Sequence, residues 1–163
     1  MNGTMVSSKI PLRIILLISS SIAITLTFVL VWIHYDGLPE TIPTHFSWNG
    51  LPNGYGSKSM LLVLPFVSLG IFLLLSIAER LPVSFNWPVA IAPENQEWQM
   101  KNVKRLIQWM QLELAVLFVA LVRDNIWVAQ GQMPGLSYLP LIVLLVLLFT
   151  IAIMLYRSLS FSN

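Results

Sequence analysis

The chain contains no cysteine and few charged residues, and both absences limit what it can do. Without thiols it forms neither a disulfide nor a thiol-dependent site. Only 10% of its 163 residues are charged, 56% are hydrophobic, and the net charge is +2. This composition predicts a membrane protein whose partner is the lipid bilayer, with no nucleic acid bound. No internal repeat or low-complexity segment occurs, and we expect no cofactor.

The hydrophobic residues are gathered in four long runs. Three of them, residues 14–33, 60–78 and 139–156, contain 20, 19 and 18 residues and no charge. Each is close to the roughly 20 residues that an α-helix needs to cross the hydrocarbon core. The fourth run, residues 106–122, has 17 residues and carries three polar side chains. The sequence therefore predicts an all-α, polytopic integral membrane protein with four transmembrane helices in a single domain of residues 1–163.

The basic residues indicate how these helices are oriented. With the N-terminus in the cytoplasm, seven Lys and Arg residues lie inside and only Lys58 and Arg123 lie outside. Because short cytoplasmic loops carry an excess of Lys and Arg, we expect both termini inside, an outer loop at residues 34–59 and an inner segment at residues 79–105. The first run is too long for the apolar part of a signal peptide, so we expect it to be retained. The inner basic residues are Lys9, Arg13, Arg80, Lys101, Lys104, Arg105 and Arg157.

The outer loop is rich in residues that fix the backbone. Each proline holds φ near about −65° and extends the residue before it. Glycine adopts positive φ readily, so tight turns are predicted at Asn49-Gly50 and Asn53-Gly54. We expect this loop to hold one shape and to bind a peptide toxin or a partner membrane protein. The residues of this predicted recognition loop are Pro39, Pro43, His45, Phe46, Gly50, Pro52, Gly54 and Lys58.

The inner segment is predicted to end in a helix that continues into the membrane. Pro93 fits a first helical turn, where its missing N–H is not needed. Glu94 and Glu97 favour the positive end of the helix dipole, and Glu97 can pair with Lys101 four residues later. We expect one helix from near Glu94 to about Val122. Three of its basic residues lie at the anionic headgroups or, alternatively, bind a cytoplasmic regulator. They are Lys101, Lys104 and Arg105.

The outer loop resembles a known family. The sequence L-P-E-T-I-P-T-H-F at residues 38–46 is followed by G-L-P-N-G at residues 50–54 and G-S-K at residues 56–58. This order resembles the small bacterial membrane domain of unknown function at the N-terminus of SdpI-type immunity proteins. In the inner segment, Asn86 and Pro88 resemble that family's Asn-aromatic-Pro element.

That resemblance implies a fold of four to six helices in the bacterial plasma membrane. It also implies resistance to a secreted peptide toxin and, in some systems, capture of a cytoplasmic repressor. The chain ends after the fourth helix, so the resemblance covers only the N-terminal module of the larger immunity proteins.

Four residues in or beside the outer loop are potential metal ligands, namely His34, Asp36, Glu40 and His45. Zinc binds imidazole and carboxylate, but this spacing matches neither a structural nor a catalytic zinc motif. We therefore predict no metal site and keep His34 and His45 as weak candidates. In the alternative, His45 hydrogen-bonds the loop backbone and His34 lies at the membrane interface.

The fourth run contains Gln108, Gln111 and Glu113, which a membrane helix seldom carries. On a helix the glutamate lies roughly 140–160° from both glutamines, so either this helix packs between two neighbours or one polar group reaches the headgroups. An acidic residue in a span is expected to be buried and paired, or else to sense protons or a ligand. We expect helices 1 to 3 to form the core and helix 4 to face lipid. The predicted partners of Glu113 are hydroxyls of the first two helices, Ser19, Ser20, Ser21, Thr25, Thr27 and Ser68.

Three functions remain open at this point. The first, which we expect, is a non-enzymatic sensing or protection module whose outer loop is the recognition surface. The second is a small permease or permease subunit that uses Glu113. The third is a membrane metal-dependent enzyme that uses His45, although no nucleophile–base pair or metal triad is evident.

Overall fold

A computed structural model of the protein describes residues 11–81 and 93–160. Four long helices and one β-hairpin make up this part of the chain. Asn86 and Pro88 of the inner segment, and Lys9 of the N-terminus, lie outside the described residues. The elements are α1 (Leu12–His34), a 3₁₀ turn (Tyr35–Gly37), β1 (Thr41–Phe46), β2 (Pro52–Ser57), a 3₁₀ turn (Lys58–Leu62), α2 (Val63–Arg80), a 3₁₀ turn (Pro93–Asn95), α3 (Gln96–Ala129) and α4 (Tyr138–Ser160).

Three helical stretches among the described residues are long and apolar enough to cross a membrane. They are Leu12–Gly37, Lys58–Arg80 and Tyr138–Ser160. Most of their large apolar side chains point away from the protein, as side chains do when lipid replaces water around a helix. The fourth predicted run, residues 106–122, lies within α3.

The long helix α3 occupies the centre of the bundle and contacts α1, α2 and α4. Small residues make close packing possible, because Ala115 of α3 is buried together with Ala23 and Ile24 of α1. The predicted core of helices 1 to 3 is therefore incomplete, since α4 also packs on α3. It does so through one stripe with a seven-residue spacing, Pro140, Leu147 and Met154.

Two polar contacts join α3 to α4 at the end where α3 begins. Gln99 Nε2 donates to the carbonyl oxygen of Ser158 at 2.7 Å, and Asn102 Nδ2 donates to that of Met154 at 3.1 Å. Both side chains are buried. Because a buried amide without a partner is costly, these contacts fix the register of α4 against α3.

The prediction of an all-α fold is wrong in the outer loop, where β1 and β2 form an antiparallel hairpin. The hairpin lies at the end of the bundle where α1 and α3 finish and α2 and α4 begin. Below it, Ile42 of β1 is fully buried with Val31 of α1 and Leu61, Val122 and Ile126. We call this end of the bundle the hairpin end. The opposite end carries most of the Lys and Arg residues, and we call it the basic end.

Candidate functional site

The tip of the hairpin is a tightly hydrogen-bonded turn. Gly50 has φ +80°, and its N–H donates to the carbonyl oxygen of Ser47 at 2.8 Å. Asn49 Oδ1 accepts from the N–H of Leu51 at 3.1 Å, which closes the turn from the side. The predicted turn at Asn49-Gly50 is therefore present, and it requires glycine because other residues adopt this φ only with strain.

The prediction of a second turn, at Asn53-Gly54, is wrong. Gly54 lies in β2 opposite His45 of β1, and its φ is not positive. A Cβ added to Gly54 would lie 3.0 Å from His45 Cβ, and one on Gly56 would lie 3.0 Å from Thr44 Cγ2. These two glycines therefore allow the strands to pair closely rather than to reverse direction.

The hairpin is fixed to α3 and to the α3–α4 connection at two points. Asn125 Nδ2, near the end of α3, donates to the carbonyl oxygen of Pro43 at 3.0 Å. The N–H of Leu136 donates to the carbonyl oxygen of Gly50 at 2.9 Å. A Cβ on Gly135 would lie 2.4 Å from that oxygen, so only glycine permits this approach. The tip of the hairpin is therefore supported from below.

Lys58 closes the open end of the hairpin. Its Nζ lies 2.9 Å from Glu40 Oε1, and its N–H donates to the carbonyl oxygen of Glu40 at 3.0 Å. The ammonium group also lies 5.2 Å from the ring centroid of Tyr35, within reach of a cation–π interaction. Lys58 thus holds the shape of the loop rather than presenting a free charge.

Asp124 joins α3 to α4 at the hairpin end, and the sequence analysis missed it. This fully buried carboxylate accepts two hydrogen bonds from Arg123, at 3.0 and 2.6 Å, through Oδ1. Through Oδ2 it accepts from the N–H and the Oγ of Ser137, at 2.8 and 2.7 Å. Arg123 also stacks 4.7 Å from the ring centroid of Trp127. In the sequence, the adjacent charges of Arg123 and Asp124 directly follow the apolar run 106–122. They were the signal from which this buried pair could have been predicted.

The exposed face of the hairpin is aromatic and apolar. Trp48 at the tip is 99% exposed, and Leu51 and Tyr55 also face outward. Of the predicted recognition residues, Pro39 and His45 are exposed, whereas Pro43 is buried. Phe46, Gly50, Pro52, Gly54 and Lys58 are half-buried. Trp48 is not among these predicted residues, although its side chain is almost completely exposed.

The two histidines have separate structural partners. His45 Nδ1 donates to Asn53 Oδ1 across the hairpin, so its predicted bond to the loop backbone is wrong. His34 Nδ1 donates to the carbonyl oxygen of Leu30 at 2.9 Å within α1. Across residues 11–81 and 93–160, no three His, Asp or Glu side chains are placed to hold a metal ion.

The polar residues of the fourth run fasten α3 to neighbours on two sides. Gln108 Nε2 donates to Glu79 Oε1 of α2 at 2.8 Å, and Gln111 Nε2 donates to Ser76 Oγ of α2 at 2.8 Å. Glu113 instead accepts from Thr150 Oγ1 of α4 at 2.6 Å. Its other carboxyl oxygen is buried and has no partner among the described residues.

The partner predicted for Glu113 in the first two helices is wrong, because Thr150 of α4 takes that place. The placement of α3 between neighbours on both sides is the arrangement observed. Lys101, Lys104 and Arg105 lie together at the basic end, far from the hairpin.

Comparisons with known proteins match the segment around the hairpin and, for one relative, most of the chain. The family described as "Domain of unknown function (DUF1648)" matches residues 22–69. An uncharacterised protein of Archaeoglobus fulgidus is 30% identical over 142 residues, which cover 80% of this chain and 76% of the archaeal protein. The chain belongs to the family of this archaeal protein. No solved structure matches it.

The DUF1648 segment runs from the middle of α1 through the hairpin into α2. It therefore contains the whole hairpin and the exposed Trp48, but neither Asp124 nor Asn125, which hold the hairpin from α3. The match agrees with the expected domain of unknown function. The link to SdpI-type immunity proteins stays a prediction.

Proposed function

We propose that the protein is a non-enzymatic sensing or protection module of the bacterial plasma membrane, with the hairpin as its recognition surface. In this proposal all four helices cross the membrane, both termini are cytoplasmic, and the hairpin is outside. The charge distribution supports this orientation, because seven Lys and Arg residues fall on the proposed inner side. The proposed ligand is a membrane-active peptide or a partner membrane protein.

The observation that carries the proposal is Trp48, which is fully exposed on a rigidly supported turn. A water-exposed tryptophan with no packing partner contributes nothing to folding, whereas tryptophan is among the residues that dominate binding interfaces. Its support on Asn125 and Leu136 reduces the conformational entropy that binding would cost. Leu51 and Tyr55 extend the apolar surface beside it.

A survival assay tests this proposal. Bacterial cells with and without the protein are exposed to a panel of defined cationic, membrane-active peptides, and growth is measured. We expect the protein to protect against at least one peptide and Trp48→Ala to remove most of this protection. Trp32→Ala is the matched control, because Trp32 is an equally large exposed side chain on α1, outside the hairpin. Unchanged sensitivity to every peptide without the protein would contradict the proposal.

Glu113 favours a second candidate, a small permease or permease subunit. A buried carboxylate with one unpartnered oxygen is unusual inside an apolar bundle and often marks a transport pathway. This candidate requires Glu113→Gln to abolish substrate flux in proteoliposomes while the protein still folds. The metal-dependent enzyme is supported least, and it requires bound metal in stoichiometric amount that is lost in His45→Ala.

A further inference from the structure

The basic end of the bundle contains an open groove between α1, α2 and α3. Its volume is about 570 Å³. Five basic side chains and a single acidic one line it, so its charge is strongly positive. The charged residues are Arg13, Glu79, Arg80, Lys101, Lys104 and Arg105.

The acidic residue is part of the wall of the groove rather than a free charge. Glu79 has a largely buried side chain, and its Oε1 lies 3.0 Å from Arg13 Nε. The same oxygen accepts from Gln108 Nε2 at 2.8 Å. Three helices therefore meet at Glu79, and its negative charge is already balanced by Arg13. The groove has a fixed shape on this side.

Most of the remaining basic residues of the groove lack a counter-ion in the part of the chain that the structure describes. Lys101 pairs with Glu97 at 2.6 Å, but both side chains are exposed, so this pair is weak. Over the described ranges, residues 11–81 and 93–160, no carboxylate pairs with Arg80, Lys104 or Arg105. Like charges gathered in one groove repel each other, and an anion that binds there removes this repulsion.

The surroundings of the groove favour a lipid as the source of that anion. Leu12, Ile14 and Ile15 beside Arg13 are exposed, and so is Ile77, one helical turn before Arg80. An acyl chain can lie along these apolar side chains while its headgroup stays in the groove. A free phosphate ion would use only the charged part.

We propose that this groove binds the phosphate of an anionic membrane lipid. Arg80, Lys104 and Arg105 hold the phosphate, and Glu79 with Arg13 and Gln108 keeps the wall in place. Basic pockets between membrane helices are known to bind anionic headgroups in this way. This site is separate from the hairpin and does not depend on what the hairpin recognises.

The test measures lipid binding to the full-length protein in a neutral detergent. We expect phosphatidylglycerol to bind and phosphatidylcholine not to compete with it. Removing one basic side chain that holds the phosphate should lower the affinity about fivefold, so the double variant Arg80→Gln/Arg105→Gln should bind phosphatidylglycerol about thirtyfold more weakly. Both residues are exposed, so the variant should fold, which thermal unfolding checks. If it does not fold, Lys104→Gln alone should lower the affinity about fivefold.

The matched control is Arg157→Gln. Arg157 lies at the same end of the bundle but stacks 5.9 Å from the ring centroid of Trp98 and does not line the groove. It should leave the affinity for phosphatidylglycerol within about twofold of the unaltered protein. An equal loss of affinity in Arg157→Gln would show that general charge attraction explains the binding, and the proposed site would then be wrong. If inorganic phosphate or glycerol 3-phosphate displaces phosphatidylglycerol at equal concentration, the groove binds a free phosphate, and the proposal of a lipid ligand is wrong.

Discussion

The buried carboxylate of Asp124 offers the sharpest test of how the hairpin end is held together. The change is Asp124→Ala, which removes an acceptor of four hydrogen bonds, two from Arg123 and two from Ser137. Arg123 precedes Asp124 directly and stays near it even in the unfolded chain. Ser137 lies on the other side of the α3–α4 connection, so its two bonds are lost fully.

The expected cost follows from the burial of this group. Removing one partner of a buried ion pair costs about 3–5 kcal/mol, because the other charge is left without compensation. Arg123 keeps some exposure and its contact with Trp127, which places the expected loss near the lower value, about 3 kcal/mol. That is a large part of a total stability of about 5–15 kcal/mol.

The assay is the free energy of unfolding in detergent micelles, followed by the loss of helical circular dichroism. Glu97→Ala is the matched control, since it removes an exposed carboxylate that pairs with Lys101 on the same helix. The control should change stability little, because exposed pairs contribute little. If both variants unfold alike, Asp124 does not hold α3 and α4 together and the reasoning is refuted.

Three further predictions concern other contacts. Gly135→Ala should cost about 1–3 kcal/mol of stability and speed amide exchange in the hairpin tip, because the added Cβ would clash with the carbonyl oxygen of Gly50. The control Gly37→Ala should change neither quantity, because the space around Gly37 is open. Thr150→Val should cost about 1–3 kcal/mol, measured by chemical unfolding, since it leaves a buried carboxylate without its donor. The hydrogen bond from Lys101 lowers the pKa of Glu97, so this contact stabilises α3 above the unfolded pKa and is lost as pH falls through the lowered folded value. An NMR titration should therefore find the pKa of Glu97 below its ordinary value, and Lys101→Gln should restore it.

The helices could be predicted from the sequence because a single property decides them. Runs of about 20 apolar residues have few stable alternatives to a helix in a membrane. The start of α3 followed from Pro93 and Glu97 in the same way, since local capping rules suffice there. Its end at Ala129 did not, because Arg123 and Asp124 resemble the polar end of a span.

The hairpin could not be predicted from local preference. Pro43 lies within β1, and β2 contains Pro52 and two glycines, all of which disfavour strands. These strands are stabilised by their contact with α3. There Asn125 hydrogen-bonds to Pro43, a residue 82 positions earlier in the sequence. A contact at that separation leaves no periodic signal in the sequence.

The partner of Glu113 shows a second limit. Helical geometry correctly placed Glu113 and Gln111 on opposite sides of α3. It could not say which neighbour faces each side, because that depends on how four helices are arranged. Thr150 of α4 is the partner, rather than one of the five hydroxyls on α1 that the helical geometry left as candidates.

The length of α3 has a consequence for how the protein sits in a bilayer. From Arg105 at the basic end to Asn125 below the hairpin, the helix rises about 30 Å, which equals the thickness of a typical hydrocarbon core. In a bilayer that α3 crosses, the length of this segment matches the distance between the two headgroup layers. Tilting is one way for this helix to fit a thinner membrane, and because the hairpin is fixed to its end, a tilt changes the height of Trp48 above the surface. In such a bilayer, membrane thickness sets how far the proposed recognition surface extends.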